Sequence, residues 1–170
     1  AQINLIHGKR SGGKSYQAKH KKGVLKFFNG EERYYSTYKD KEKVLKKFID
    51  KGTTFVMLRR FKDEVSTANV ESYFNDVDIM KITDNRCNCV LAYKGRIYLA
   101  FYDSDANKTI KHEYIGYYRA LSQEQVYAGN SMLDVTDIIF EEFVSRSEYL
   151  ANEPAKLMNF YSTIDRGRGL

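Results

Sequence analysis

Proline is almost absent from this 170-residue chain, which has one, and low-complexity stretches are few. A long linker is therefore excluded, and the length suits one domain large enough to bury a core without covalent staples. Cysteine is as scarce. Cys87 and Cys89 are the whole set. Two residues apart, they would share one face of a strand, and no further cysteine exists to complete a thiolate metal cage, so they read as core thiols. The three histidines, His7, His20 and His112, are scattered, and none has the i, i+4 spacing with a carboxylate that marks a helical zinc site. No structural metal is expected. Also missing are an apolar run of the roughly twenty residues that cross a bilayer and a signal-peptide core with a cleavage site at the start. These absences point to a soluble, intracellular protein with no membrane partner.

What is present begins with charge. The formal net charge is +6, which suits a polyanionic partner but serves solubility equally well. The segment Lys19 to Lys51 mixes many lysines with Tyr and Phe, a composition that can grip a phosphate backbone and stack on bases. Within it, Val44, Leu45, Phe48 and Ile49 fall at helical spacing with lysines opposite, so a solvated amphipathic helix accounts for most of the pattern.

The stretch "INLIHGKRSGGKSY" carries the clearest chemistry. Gly8, four residues, Gly13, Lys14 and Ser15 match the phosphate-binding loop G-x-x-x-x-G-K-[ST]. Glycines let successive backbone N–H groups converge on phosphate oxygens, and a helix starting near Lys14 adds the positive end of its dipole. Lys14 would reach the β- and γ-phosphates of ATP, and Ser15 would offer a hydroxyl to Mg2+. The context fits, with an apolar strand-type run from Ile3 to Ile6 before the loop and a helical stretch from Ser15 to Lys22 after it.

A second stretch, "VTDIIFEEFVS" from Val135 to Ser145, is a buried-strand run ending in two carboxylates. In a phosphate-loop ATPase, acids at that place hold the Mg2+ shell and activate the attacking water. Glu141 would be the metal-side acid and Glu142 the catalytic one. Near the end, "IDRGRG" places Arg166 and Arg168 around a glycine, where one guanidinium can act as a finger on the γ-phosphate of a neighbouring subunit.

Between these stretches, Thr53 to Phe61 reads as a second core strand, and Ser66 to Val77 as a helix capped by its serine. "CNCVLAYKGRIYLAFYD" reads as a hairpin around Lys94-Gly95, with the glycine supplying the positive φ of a tight turn. "HEYIGYYRALS" would add a strand. The expected architecture is an α/β core, decorated by a small antiparallel element.

Taken in order, "GKRSGGKSY", "FVMLRRFKDEV", "SYFNDV", "IIFEEF" and "LMNFYSTIDRGRG" resemble the ATPase domain of the genome-packaging (encapsidation) motors of small short-tailed bacteriophages, almost end to end. The resemblance implies a P-loop NTPase core of the additional-strand, catalytic-glutamate type, a mostly parallel sheet flanked by helices. It implies ATP hydrolysis that drives double-stranded DNA into a procapsid, by a homomeric ring working in the host cytoplasm at the portal vertex and absent from the mature virion. The procapsid portal or a packaging RNA would be further partners. Carried over by position, the ATP-binding residues are Gly8, Lys9, Arg10, Ser11, Gly12, Gly13, Lys14, Ser15 and Tyr16. Ser15 and Glu141 would serve Mg2+, Glu142 would be catalytic, and Arg166 would act in trans, with Arg168 and Lys62 as further intersubunit positions.

Three departures accompany it. Glu141 stands where the family usually has Asp, one methylene shorter, which implies metal contact through water or a shifted one. Residues from about 20 to 42 look like a basic, aromatic insertion. Parts of the adenine pocket, the last core strand and the family's second, nucleic-acid-binding domain are missing, so the chain reads as a single ATPase domain incomplete at both ends. Two other functions use the same loop: a phosphotransferase of the nucleotide-kinase type, and a nucleotide-gated binding module without turnover.

Overall fold

The computed structural model describes residues 23–26, 32–35, 37–127, 132–140 and 148–165. The phosphate loop from Gly8 to Tyr16, the flanking strand and helix expected at 3–6 and 15–22, the acids Glu141 and Glu142, and Arg166 and Arg168 lie outside the described residues.

The fold is organised by the run "TFVMLR", which forms strand β3 (Thr54–Arg59). Its four consecutive apolar residues, Phe55, Val56, Met57 and Leu58, are all fully buried. A strand sends alternate side chains to opposite faces, so such a run is satisfied only when both faces are covered. Phe55 and Met57 enter one hydrophobic cluster, and Val56 and Leu58 enter another.

The first cluster is roofed by helices α1 (Thr37–Lys51), α2 (Thr67–Tyr73) and α3 (Ile79–Ile82), through Val44, Leu45, Val70, Tyr73 and Ile79. On the second face, Leu121 sits in a 3-10 turn (Leu121–Gln123) that runs into α4 (Glu124–Tyr127). There it meets Phe160 and Ile164 of α5 (Glu153–Asp165). The chain's one proline, Pro154, stands in the first turn of α5, where no backbone donor is needed and its fixed φ suits the helix.

The sheet has five strands in the order β4 (Cys89–Tyr93), β5 (Arg96–Asp103), β6 (Lys108–Ala120), β3, β7 (Val135–Phe140). Strand β3 is parallel to both β6 and β7, while β4, β5 and β6 pair antiparallel. The antiparallel element is therefore larger than the sequence suggested. Strand β6 is 13 residues long and belongs to both halves, so the expected decoration is continuous with the core sheet.

Two glycines are placed by sterics. At Gly116, which pairs with Phe55, an added Cβ would stand 2.5 Å from the Phe55 carbonyl oxygen. At Gly95 φ is +78°, and an added Cβ would stand 2.6 Å from the Arg119 guanidinium. The glycine expected to turn the hairpin does so, and Lys94 joins it in the left-handed region at φ 47°. Two positive φ values in a two-residue loop match the twist of the flanking strands.

Other expectations are refined. Ser66 caps α2 by accepting from the Asn69 amide at 3.2 Å, but the helix stops at Tyr73. Val44 and Leu45 of α1 are buried, whereas Ile49 is exposed. The cysteines do not share one strand. Cys87 is fully buried in the loop ahead of β4, and Cys89 is half-buried within it. The basic segment near 20–42 contains a two-stranded antiparallel pair, β1 (Gly23–Lys26) with β2 (Glu32–Tyr35), before α1 begins.

Candidate functional site

In sheets with parallel strands, ligands gather at the carboxyl edge, where the chain leaves each strand in the same direction. Strands β3 and β7 end together, with Leu58 paired to Phe140. The chain leaves β3 through Arg59, Arg60, Phe61 and Lys62, and the residues following Phe140 in sequence are Glu141 and Glu142.

Strand β7 is anchored along its length. At its start the Thr54 amide donates to the Asp134 carbonyl at 2.9 Å, and the Thr54 hydroxyl to the Asp134 carboxylate at 2.9 Å. The Tyr114 hydroxyl donates to the same carboxylate at 3.2 Å, and burial raises the pKa of Tyr114 far above its ordinary value, so it stays a donor. One residue pair further on, Lys47 of α1 reaches both carboxylate oxygens of Asp137 at 2.7 and 2.8 Å. The strand itself is half-buried beyond Val135, less deep than its apolar run suggested.

At the carboxyl edge sits a buried ion pair. Arg60, 3% exposed, donates from Nε to Glu153 Oε2 at 2.5 Å and from Nη2 to Oε1 at 2.8 Å. The Arg60 guanidinium also lies 5.7 Å from the Phe140 ring centroid and 5.0 Å from that of Tyr149. The pair therefore joins the exit of β3, the end of β7 and the start of α5. Burial pushes the Glu153 carboxyl upward, but the Arg60 hydrogen bonds and the Leu150 amide at 3.2 Å outweigh it and hold the carboxyl below its usual range. The hydrogen bond that Arg60 donates to Glu153 raises the Arg60 pKa in turn. With its charge matched, Arg60 acts as a structural pin, and sequence reading alone had no signal for its distant partner.

Lys62, expected to face a neighbouring subunit, lies in the 3-10 turn Lys62–Glu64 after β3. It lines a cleft of about 790 Å3, together with Ser66, Lys94, Tyr118, Arg119 and Gln123. Arg119 donates to the Gly95 carbonyl at 2.5 Å and the Tyr118 carbonyl at 2.9 Å, and stacks over Tyr117 and Tyr127 at 4.8 and 4.9 Å. No carboxylate pairs with it among the described residues, its Nε is buried without a hydrogen-bond partner, and burial lowers its pKa. Three cations and one acid, Asp63, line the cleft, a net positive set that suits an anionic group such as phosphate or carboxylate. Sequence reading found Lys62 and missed Lys94 and Arg119, which only the hairpin and β6 bring beside it.

Three of the six lysines of α1 make ion pairs among the described residues. Lys41 pairs with Asp76 at 3.1 Å and lies 3.8 Å from the Tyr73 ring centroid, Lys46 pairs with Glu42, and Lys47 with Asp137. The amphipathic-helix expectation is met by α1, with Val44 and Leu45 buried. Among the described residues no helix is long and apolar enough to cross a membrane.

Comparison with known proteins adds an independent line. A family model described as podovirus DNA encapsidation protein (Gp16) matches residues 14–169. The DNA packaging proteins of Bacillus phage PZA and Bacillus phage phi29 are each 32% identical over 148 residues, covering 85% of this chain and 40% of theirs. The chain thus spans about 40% of the length of these curated relatives. Among solved structures, the N-terminal domain of the DNA packaging ATPase from bacteriophage phi29 superimposes with a TM-score of 0.58 at 30% identity. That match covers 78% of this chain and 61% of that one. A chain of the phi29 viral genome packaging motor assembly matches with a TM-score of 0.53 at 30% identity, covering 72% and 33%.

Proposed function

Because the chain belongs to the podovirus DNA encapsidation (Gp16) family, we propose that it is the ATP-hydrolysing motor domain of a homomeric ring that drives double-stranded viral DNA into a procapsid. The observation that carries this reading is the pairing of β7 with the doubly buried β3. It supports a rigid strand at the carboxyl edge whose next two residues in sequence are Glu141 and Glu142.

In this mechanism the phosphate loop from Gly8 to Ser15 wraps the triphosphate, with Lys9, Arg10, Ser11, Gly12 and Gly13 between the two anchor positions. Lys14 neutralises the β- and γ-oxygens, and Tyr16 completes the ATP-binding run. Ser15 and Glu141 serve Mg2+, whose preference for oxygen ligands these side chains meet. Glu142 orients and deprotonates the attacking water. Arg166 stabilises the γ-phosphoryl charge in a neighbouring subunit, with Arg168 as the competing candidate. Lys62 and its basic cleft face that neighbour. The portal or a packaging RNA, and action in the host cell at the procapsid vertex, belong to the same proposal.

ATP binding and turnover, with and without double-stranded DNA, test it. Glu142→Gln should keep nucleotide affinity and lose about a hundredfold or more in turnover, whereas Lys14→Ala should lose binding. Turnover at the unmutated rate in Glu142→Gln overturns the catalytic assignment. For the finger, subunits carrying Arg166→Ala and subunits carrying Glu142→Gln should be inactive apart and active when mixed in assembled rings. Inactive mixtures from rings shown to be mixed would exclude Arg166.

A further inference from the structure

Cys87, His112 and Glu113 each offer one ligand atom, and these atoms all lie within 4.8 Å of one another. Neighbours in a regular strand point to opposite faces, so the approach of both His112 and Glu113 to one thiol needs a cause. The register of β5 against β6 supplies it. Tyr98 pairs with Tyr114 and Ala100 with Lys111, which leaves Leu99 opposite two residues, His112 and Glu113. A bulge of this kind re-aims side chains. Cys87 arrives from the loop before β4, where its amide donates to the Thr83 hydroxyl at 3.0 Å and its carbonyl accepts from that hydroxyl at 3.1 Å.

The two oxygens of Glu113 have different fates. Arg86 donates to Oε1, while Oε2 is buried and has no hydrogen-bond partner. A buried acceptor left unsatisfied costs on the order of 1–3 kcal/mol, and a cation at Oε2 would remove that cost. A carboxylate oriented by a donor on its other oxygen is the usual arrangement around a metal.

We propose that Cys87, His112 and Glu113 bind a divalent transition-metal ion of the zinc class, through the thiolate, the imidazole and Glu113 Oε2, with water as the fourth ligand. A thiolate beside an imidazole and a single carboxylate is a donor set that favours zinc over magnesium or calcium. Ligands about 2.0–2.3 Å from a tetrahedral zinc lie roughly 3.3–3.8 Å apart, so donors at the 4.8 Å limit need to close by about 1–1.5 Å. A thiol must lose its proton to bind the metal, so binding releases that proton to solvent. The ion would clamp the loop before β4 to the bulge of β6, across β5.

The test uses the 170-residue chain without nucleotide and with Co2+ as a spectroscopic stand-in for Zn2+. One equivalent of Co2+ should produce a thiolate-to-cobalt charge-transfer band in the near ultraviolet, displaced by Zn2+. The band should vanish in Cys87→Ser and persist in Cys89→Ser. Affinity for Zn2+ should fall about tenfold or more in His112→Ala and in Glu113→Gln. These two variants change half-exposed residues, so they report on the site even if Cys87→Ser is poorly folded. Added Zn2+ should raise the thermal midpoint of the unmutated chain, and a chelator should reverse the rise. Absence of the band, its loss in Cys89→Ser but not Cys87→Ser, or unchanged Zn2+ affinity in both His112→Ala and Glu113→Gln would overturn the proposal.

Discussion

In the parallel half of the sheet, β3 carries four consecutive apolar residues, all buried, and two helical layers close over it. In the antiparallel half, β4 alternates half-buried and buried positions up to an exposed Tyr93, and β6 departs from regular pairing at two places. The first half derives its rigidity from burial on both faces. The second derives its shape from backbone irregularities: a turn with two left-handed residues, a glycine pressed against Phe55 and a bulge at His112-Glu113. The two halves should therefore respond differently to substitution.

The sharpest contrast is between their apolar residues. Phe55→Ala should cost about 3–5 kcal/mol, because it leaves a cavity between two packed layers. Tyr93→Ala, at a position 48% exposed, should cost well under about 1 kcal/mol. Urea denaturation of both variants checks this, and equal losses would erase the distinction between the halves.

The next effect is at the carboxyl edge. Arg60→Ala should cost about 3–5 kcal/mol, because it leaves Glu153 buried and unpaired. Arg60→Met combined with Glu153→Leu should recover most of that loss, since apolar residues of similar volume often replace a buried pair without penalty. Acid probes the same contact. Glu153 is held below its usual pKa, so its contribution is present above the unfolded-state value and is lost as pH falls through the folded one. The unmutated chain should therefore lose stability steeply below about pH 4.5. Glu153→Gln should lack that component. Denaturation midpoints measured across acidic pH test the sign.

Smaller effects belong to the glycines of the antiparallel half. Gly116→Ala should cost about 1–3 kcal/mol through overpacking against the Phe55 backbone. Gly95→Ala should cost about 1 kcal/mol or more, because alanine there meets both a left-handed φ and the Arg119 guanidinium. If Gly95→Ala is the more damaging of the two, Arg119 cannot swing aside, and the cleft it shares with Lys62 is more rigid than the parallel half suggests.

How much was legible depends on whether the signal was local. Thr53 to Phe61 was readable as a core strand because an unbroken apolar run of that length has few other uses, and Lys94-Gly95 was readable as a turn because backbone chirality restricts it. Ser66 was readable as a cap for the same kind of reason. The mixed character of the sheet was not, since nothing near residues 108 to 120 in sequence announces that this strand will pair with Arg96–Asp103 on one edge and with β3 on the other. Lys62 could be named from its place in a motif-like run, but its companions Lys94 and Arg119 come from other strands.

The amino-acid sequence by itself determined the elements whose causes lie within a few residues: the doubly buried strand, the caps and turns, and the spacing of the phosphate loop and of the acid pair. Only the tertiary structure decided which distant residues became partners. Arg60 and Glu153 are separated by 93 positions, and Cys87 meets His112 and Glu113 only through a bulge in the strand pairing. The reason is physical. Local conformation follows from sterics and hydrogen bonding along the chain, whereas the neutralisation of a buried charge depends on which surfaces the packed sheet brings together.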